Sequence, residues 1–266
     1  RVQETVFDDY EIILPTISIQ EKISKTLSDL DTKIQNLQNQ NRILEQIAQA
    51  IFKSWFVDFD GVTEFEDSEL GKIPKGWSVK KFSDVSNILS GGTPSTKNPN
   101  FWNGEIKWIA IDDLKQGMFI LDSEKKITQL GLDKSSAKIL PVNSIVISAR
   151  GTVGVFSIMP ESMTINQSCY GLTGKGIVNE VFLFFLLHFS LNNFIQNVHG
   201  TVFDTITRKT FDDINIIFPN DEKIVEFQNS MKSLLQKIQK NQIQIISLTK
   251  TRDILLPKLM SGEIRV

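Results

Sequence analysis

The beginning and the end of this chain resemble each other, and this internal repeat limits the folds that the sequence can adopt. Residues 7–15 read FDDYEIILP and residues 211–219 read FDDINIIFP, and the tripeptide EKI follows each copy after a few residues. A long segment rich in Leu, Ile, Gln, Asn and Lys comes next in both places. The repeat predicts a unit that consists of a globular part followed by a long helix. Because only the second copy is preceded by a globular sequence, we interpret residues 1–18 as the C-terminal stub of a first globular domain that this chain lacks.

The two long segments carry heptad patterns. No Gly or Pro interrupts residues 21–58 or residues 221–256, and seam residues recur at alternating spacings of four and three, which indicates coiled-coil helices. We expect helices over residues 19–56 and 221–256, and we expect Pro257 to end the second one. The first seam consists of Ile23, Leu27, Leu30, Ile34, Leu37, Asn41, Leu44, Ala48 and Ile51. The second seam is more polar and consists of Ile224, Gln228, Met231, Leu235, Ile238, Gln242, Ile245 and Thr249.

The repeat also predicts how the two helices pair. Two copies of one unit related by a pseudo-two-fold axis run their helices in opposite directions, so we expect an antiparallel pair within one chain. Asn41 and Gln242 occupy equivalent seam positions, where a buried polar group commonly fixes the register. The alternative is an exchange of helices between two chains, which would give a homodimer. The residues predicted to face each other in the apolar part of the seam are Leu30, Ile34 and Leu37 on the first helix and Met231, Leu235 and Ile238 on the second.

The sequence between the helices has the composition of a globular domain. Short β-like runs at residues 106–111, 144–149 and 153–158 are bounded by turn residues, and one helix is predicted at residues 180–198 with Asn179 as its N-cap. The fold class is therefore α+β: a globular mixed α/β domain plus two long antiparallel coiled-coil helices. The predicted segments are the stub at residues 1–18, the first long helix at 19–60, the globular domain at 61–218, and the second long helix with its C-terminal tail at 219–266.

The composition excludes several classes of protein. The 266 residues include 18 Phe and 4 Trp, which is ample for a packed core and excludes a disordered chain. No apolar run approaches the roughly 18 residues that a membrane span needs, and no charged-then-apolar leader follows Arg1. A single cysteine, Cys169, excludes an intramolecular disulfide framework and a cysteine-based zinc finger, and two histidines leave little material for another metal site. We expect a cytoplasmic protein that holds no metal and no cofactor.

Established catalytic motifs are absent from the sequence. It contains no Gly-x-x-x-x-Gly-Lys-Ser/Thr loop, no Gly-x-Ser-x-Gly elbow and no His-Glu-x-x-His helix. One partial match is Asp113 followed by Glu124 and Lys126, which has the outline of a nuclease in which two carboxylates hold Mg²⁺ and a lysine steadies the attacking water. Such an outline arises easily by chance in a chain with 31 Asp and Glu. The nuclease is kept as an alternative, and no catalytic residue is assigned.

The sequence between the helices offers more candidates for contact with nucleic acid. Residues 70–218 contain 15 Lys and Arg against 12 Asp and Glu, whereas the rest of the chain is acidic. Lys and Arg in loops neutralise phosphates, Arg can bond guanine, and Asn or Gln can bond adenine. Each residue taken singly also fits an ordinary surface or capping role, and Trp108 and Cys169 fit the core. The candidate DNA-binding residues are Lys97, Lys107, Arg150, Asn166, Gln167, Lys175, Arg208 and Lys209.

Several stretches of sequence together match the pattern of a known family. The stretch SGGTPS at residues 90–95 and the stretch RGTVG at residues 150–154 lie in the globular part, as do Asn166 and Gln167. The helical regions and the entry to the domain contribute QEKI at residues 20–23, IFKSWFVDF at 51–59, LGKIPKGW at 70–77 and LLPKLMSGEI at 255–264. With these motifs, the chain resembles the specificity (S) subunit of type I restriction–modification systems. The similarity covers essentially the whole chain.

The resemblance implies a fold, a function and a set of partners. In that family, two target-recognition domains lie at opposite ends of an antiparallel helix pair. Each domain reads one half of a bipartite sequence in double-stranded DNA, and the helices set the distance between the halves. The S subunit has no catalytic centre. It binds two methyltransferase (M) subunits, which methylate adenine with S-adenosylmethionine, and restriction (R) subunits join to cleave DNA with ATP.

This chain departs from the family pattern because it contains one target-recognition domain. The functional hypothesis is a non-catalytic DNA sequence-recognition subunit that reads one half of a bipartite target and docks M subunits through its long helices. The alternatives are the Mg²⁺-dependent nuclease and a coiled-coil protein-interaction scaffold. Cutting by the isolated chain would favour the nuclease, and salt-sensitive DNA binding would separate the recognition subunit from the scaffold. A membrane is not an expected partner.

Overall fold

The computed structural model of the chain describes residues 14–197 and 205–265, apart from the side chains of residues 192–197. The predicted stub at residues 1–18 therefore lies mostly outside the described residues.

The polypeptide forms two compact units. The helical-arm unit consists of the described residues up to Arg42 and from Lys240 onward, and the globular unit consists of Ile43–Gln239. The division between the units falls inside the two long helices. The domain boundaries after residues 60 and 218 stay a prediction from the sequence. One end of each long helix belongs to the compact globular unit.

The described residues form helices and strands in an α+β order, with a long helix on either side of the globular sequence, so the predicted fold class is confirmed. The α-helices are α1 (Ile17–Phe56), α2 (Phe82–Val85), α3 (Gln129–Asp133), α4 (Glu180–Asn197), α5 (Arg208–Asp213) and α6 (Asp221–Met260). Short 3-10 helices lie at Pro99–Phe101 and Ile111–Gln116. The strands are β1 (Phe65–Ser68), β2 (Gly71–Pro74), β3 (Ser78–Lys81), β4 (Ser86–Ser90), β5 (Trp102–Ile109), β6 (Lys125–Ile127), β7 (Ile139–Leu140), β8 (Ile145–Ser148), β9 (Phe156–Ile158), β10 (Met163–Ile165), β11 (Cys169–Gly174) and β12 (Asn215–Phe218).

Two four-stranded sheets form the centre of the globular unit. One has the order β6-β5-β10-β7, and the other has the order β4-β11-β8-β9. Strands β5 and β10 are parallel, with Trp108 opposite Thr164, and the other pairs in these sheets are antiparallel. A separate pair joins β12 to β3, so the strand that precedes α6 bonds the strand near the start of the globular sequence. This pairing brings the two chain ends of the globular sequence together.

An aromatic cluster joins α4 to both long helices within the globular unit. The ring of Phe52 in α1 lies 5.3 Å from that of Phe227 in α6 and 5.6 Å from that of Phe182 in α4. All three rings are at most 1% exposed. The predicted N-cap of α4 is confirmed, because Asn179 Oδ1 accepts a hydrogen bond from the Phe182 N–H at 3.0 Å. No helix in the described part of the chain is long and apolar enough to cross a lipid bilayer.

A second apolar cluster lies within the globular unit and includes residues from both four-stranded sheets. Ile109, Val146 and Ile165 are completely buried there, and Cys169 is 2% exposed. Trp108 lies in a smaller cluster and is also buried. The prediction that Trp108 and Cys169 lie in the core is therefore confirmed.

The two long helices are antiparallel. In the helical-arm unit, Arg252 Nη1 lies 2.8 Å from Asp31 Oδ1, and the Asn241 side-chain amide donates to Asn41 Oδ1 at 2.9 Å. The contacts thus run forward along α1 while they run backward along α6. This direction agrees with the sequence prediction.

The register of the pair differs from the predicted one. In an antiparallel pair, the predicted facing residues set Leu30 opposite Ile238. The neighbouring Asp31 pairs instead with Arg252, which lies about two heptads further along α6. A heptad pattern looks the same after every seven residues, so it cannot select among such registers. The polar contact that marks the register is the hydrogen bond between the side chains of Asn41 and Asn241. Asn241, which is 1% exposed, was missing from the predicted seam. The predicted pairing of Leu30, Ile34 and Leu37 with Met231, Leu235 and Ile238 is therefore wrong. Their burial is as expected for seam residues, since all six are buried except Leu30, which is half-buried.

Pro257 lies inside α6, one turn before its end, so the expectation that it ends the helix is wrong. Proline removes one helical hydrogen bond and crowds the carbonyl four residues earlier. The last turn forms nevertheless, because Leu259 is buried and the Ser261 N–H donates to the Pro257 carbonyl at 2.9 Å. Gly262, with a φ of 76°, then ends the helix in the left-handed conformation.

Replacing Asn241 with Leu should lower the free energy of unfolding of the helical-arm unit by about 1–3 kcal/mol, because it removes a buried hydrogen bond to Asn41. Replacing both Asn41 and Asn241 with Leu should recover most of this loss, since an apolar pair replaces a polar one. Chemical denaturation of the single and double variants measures both effects, with Gln244→Leu as the control at an exposed position. A double variant as unstable as Asn241→Leu would contradict the coupling of the two amides.

Candidate nucleic-acid interface

Four loops of the globular unit meet at one edge of the sheet that contains β4, β11 and β8. Because these strands are antiparallel neighbours, the ends of β4 and β8 meet the start of β11, with Ser90 opposite Tyr170 and Ser148 opposite Cys169. The loops that follow or precede these ends therefore converge. We call this surface the loop edge and define it by residues 90–94, 149–154, 166–168 and 205–208.

Backbone hydrogen bonds hold the loops of the loop edge together. The Gly92 N–H donates to the Ile165 carbonyl at 2.9 Å, which joins the first loop to the end of β10. The Ala149 N–H donates to the Ser168 carbonyl at 2.8 Å, and the Ile206 N–H donates to the Ala149 carbonyl at 2.9 Å. The arrangement is thus fixed by main-chain groups and leaves the side chains of the loops available for contacts.

Gly91 explains why the first loop of the loop edge begins with glycines. A Cβ atom at this position would lie 1.9 Å from the Asn166 carbonyl oxygen, which is far inside van der Waals contact. Only glycine allows the two backbones to approach this closely. The SGGTP sequence therefore specifies a close contact between the loops that follow β4 and β10.

Cations on the loop edge are exposed and have no acidic partner among the described residues. Arg150 and Arg208 lie on the loop edge, and Lys209 follows in the first turn of α5. Arg208 Nη2 donates to Ser90 Oγ at 3.3 Å, which links α5 to the end of β4. Within the described part of the chain, none of these three cations forms an ion pair. Such unneutralised positive charge is what a phosphate-binding surface needs.

Asn166 and Gln167 are adjacent in sequence but have different environments. Asn166 is 9% exposed, and its Oδ1 accepts a hydrogen bond from the Ser168 N–H at 3.0 Å. Gln167 is exposed, and its Oε1 accepts a hydrogen bond from the Thr93 hydroxyl. Asn166 therefore orders the loop, whereas Gln167 presents its amide at the surface.

The remaining three candidate residues lie away from these side chains. Lys107 in β5 is half-buried; its Nζ donates to the Leu121 carbonyl at 2.6 Å and is ion-paired with Glu161. Lys175 follows the opposite end of β11, where its Nζ donates to the Ser83 carbonyl at 2.7 Å. Lys97 is exposed in a turn that follows the first loop of the loop edge. The contacts of Lys107 favour a structural role, because its charge is already balanced.

The structure places Asp113, the first residue of the possible nuclease site, in a backbone cap. Its Oδ2 accepts from the Ala110 N–H at 2.8 Å, and its Oδ1 accepts from the Glu124 N–H at 3.0 Å. Glu124 is exposed and Lys126 is half-buried. Across residues 14–197 and 205–265, no group of three or more His, Cys, Asp or Glu side chains is arranged to hold a metal ion. Asp113 therefore has a structural explanation that does not involve Mg²⁺.

Two residues of the loop edge were missed by the sequence analysis. The Ser90 hydroxyl accepts a hydrogen bond from Arg208, and the Thr93 hydroxyl donates one to Gln167. In both cases the partner lies in another loop. Their sequence motif indicated a turn, and no local pattern distinguishes a turn hydroxyl that bonds a distant side chain from one that does not. These contacts span 118 residues for Ser90 and 74 residues for Thr93.

Comparison with known proteins places the chain among specificity proteins. Residues 74–252 match the family described as type I restriction modification DNA specificity domain. Over its whole length, the chain is 34% identical to the type I restriction enzyme MjaIX specificity subunit of Methanocaldococcus jannaschii and covers 63% of that protein. It is 30% identical to the HindI specificity subunit of Haemophilus influenzae, with 94% of this chain and 68% of the relative covered. The chain thus spans roughly two thirds of the length of these relatives.

Solved structures share the fold. The crystal structure of the S subunit of a type I restriction–modification system from M. genitalium matches 92% of this chain and 61% of its own, with a TM-score of 0.64 and 14% identity. The HsdS subunit from Thermoanaerobacter tengcongensis matches 95% of this chain and 61% of its own, with a TM-score of 0.50 and 16% identity. At these identities the likeness concerns the fold.

Replacing Gly91 with Ala should disturb the loop edge and increase the reactivity of Cys169, the single cysteine of the sequence. Burial raises the pKa of the Cys169 thiol to about 12, with a smaller contribution from the Asp113 charge. Because the thiolate is the reactive form, labelling of the folded wild type should be slow at neutral pH. In Gly91→Ala the new Cβ displaces the Asn166 carbonyl three residues before Cys169, so labelling should be faster.

The rate of labelling by a thiol reagent, measured by mass spectrometry, checks this expectation. Ser78→Ala is the control, since it changes an exposed residue of β3 outside the loop edge. Equal rates in Gly91→Ala and the wild type would contradict the close approach of the two loops.

Proposed function

This chain belongs to the family of type I restriction–modification DNA specificity domains, and we propose that its globular unit recognises a DNA sequence through the loop edge. The observation that carries this proposal is the convergence of Arg150, Arg208 and Gln167 from three separate loops onto one surface. The proposed role is recognition without catalysis, since the relatives are named as specificity subunits.

The loop edge combines the two kinds of group that sequence-specific DNA binding requires. Arginine and lysine side chains position a protein on the phosphate backbone, and a forked arginine or amide side chain reads the edges of bases. Arg150 and Lys209 are exposed cations without an acidic partner among the described residues, while Gln167 is an exposed amide. The rigid backbone contacts beneath them limit the conformational entropy lost on binding.

We further propose that the globular unit reads one half of a bipartite target and that the long helices dock methyltransferase subunits, with restriction subunits joining the assembled complex. Each long helix contains 40 residues, about 60 Å of helix at 1.5 Å per residue. Helices of this length with exposed apolar residues, such as Ile243 and Ile254, offer area for a protein partner. A homodimer of this chain is one way to bring two recognition domains to one target.

Replacing Lys209 with Ala should weaken binding to all DNA sequences and reduce the slope of log affinity against log salt by about one, because one phosphate contact is lost. Replacing Arg150 with Ala should instead relax the preference at one base pair, at a cost of about 1–3 kcal/mol. Fluorescence anisotropy with the assembled complex at several salt concentrations measures both effects. Lys138→Ala is the control, since Lys138 is an exposed lysine outside the loop edge. Unchanged affinity in both Lys209→Ala and Arg150→Ala would contradict DNA binding at the loop edge.

Replacing Ile34 with Asp should abolish assembly with methyltransferase subunits, because it places a charge without a partner in the buried seam of the helical-arm unit. The globular unit should remain folded, since Ile34 lies outside it. Co-purification tests assembly, and the near-ultraviolet circular dichroism of the aromatic residues reports on the globular unit. Gln38→Asp, at an exposed position of the same helix, is the control. Normal assembly of Ile34→Asp would contradict docking through the helices.

A further inference from the structure

We propose that Gln167 reads an adenine of the DNA target and that Thr93 is a positioning residue that holds the Gln167 amide in the reading orientation. This inference rests on the proposed function of the loop edge. It assigns one base contact to one side chain, and it explains why a threonine lies opposite that side chain.

Of the two adjacent amides, Gln167 is exposed and Asn166 is buried. The main-chain N–H of Asn166 donates to the Ile109 carbonyl at 2.9 Å, and its carbonyl accepts from the Cys169 N–H at 3.2 Å. Its side-chain oxygen is bonded to the Ser168 N–H, and the residue is buried. Asn166 is therefore committed to the loop through its backbone and its side-chain oxygen. The same bonds fix the backbone from which the exposed side chain of Gln167 projects.

Gln167 keeps hydrogen-bonding groups for a base beside its contact with Thr93. The Thr93 hydroxyl donates to Oε1 and so orients the amide group. A carbonyl oxygen has two acceptor positions, so one remains, and both N–H groups of Nε2 are left as donors. One acceptor beside one donor is the pattern that bonds the N6 amino group and N7 of adenine in the major groove. The orientation imposed by Thr93 is thus compatible with adenine recognition.

The backbone of Thr93 is itself held in place by its two neighbours. On one side, the Gly92 N–H donates to the Ile165 carbonyl, and the Gly92 carbonyl accepts from Trp108 Nε1 at 2.9 Å. On the other side, Pro94 is buried and its ring fixes the backbone φ. The Thr93 backbone is thus held on both sides, and its hydroxyl orients the Gln167 amide before DNA binds. Such preorganisation favours the bound geometry.

The test is a selection of bound sequences from randomised double-stranded DNA, carried out with the full chain assembled with methyltransferase subunits. Gln167→Ala should reduce the preference for adenine at one position by about fivefold to 150-fold, which corresponds to a good bidentate contact. Thr93→Val removes the hydroxyl and should reduce the same preference by about two- to tenfold. Thr93→Ser keeps a hydroxyl and should restore the preference. Salt dependence should be unchanged in all three variants, because no charge is altered.

The matched controls are Gln129→Ala and Thr63→Val, which change the same residue types at exposed positions outside the loop edge. Selection by the Gln167→Ala complex with the adenine preference intact would overturn the assignment of Gln167 while leaving the proposed function in place. Loss of the preference in Gln167→Ala but not in Thr93→Val would overturn the positioning role of Thr93. No enrichment of any sequence by the wild-type complex would overturn the proposed function itself and the inference with it.

Discussion

The packing of aromatic rings from three helices is the interaction on which the globular unit depends. Phe52 of α1, Phe182 of α4 and Phe227 of α6 are buried together, although they lie far apart in the sequence. A buried aromatic side chain removes about 150–250 Å² from water, and paired rings add a geometric preference. The cluster therefore fixes the ends of both long helices within the globular core. The compact unit consequently includes helical residues that a reading of the sequence assigned to separate helical regions.

The candidate interface is built by a different principle, which is the convergence of strand ends. Antiparallel neighbours bring the end of β4, the end of β8 and the start of β11 to one edge, and backbone hydrogen bonds lock the attached loops. Residues that hold the loops together then alternate along the chain with residues that carry exposed polar groups. Gly91 and Asn166 serve the close contact of the loops, whereas their neighbours in these loops carry exposed polar groups. The interface can thus vary its exposed side chains without changing the backbone bonds beneath them.

The electrostatic character of this surface depends on local partners rather than on net charge. The chain as a whole has a net charge of −2, which by itself argues against binding a polyanion. Lys107 is balanced by Glu161 and contributes little free charge, but Arg150 has no acidic partner among the described residues. A basic side chain is therefore neutralised at one position and leaves free positive charge at the other. Only the positions of neighbouring carboxylates distinguish them.

The sequence alone was sufficient for features that depend on local spacing or on the internal repeat. Heptad periodicity predicted two long helices, and the repeat predicted their antiparallel direction. Asn179 predicted the start of α4, and the apolar character of Cys169 predicted its burial. Tertiary structure decided the features that depend on distant partners: the register of the helices, the Asn41–Asn241 contact, and the grouping of Arg150, Gln167 and Arg208. A heptad repeat is unchanged by a shift of seven residues, and a loop cation looks the same in sequence whether or not a carboxylate lies beside it. Those choices are made by contacts between residues some 70 to 220 positions apart, which local patterns do not encode.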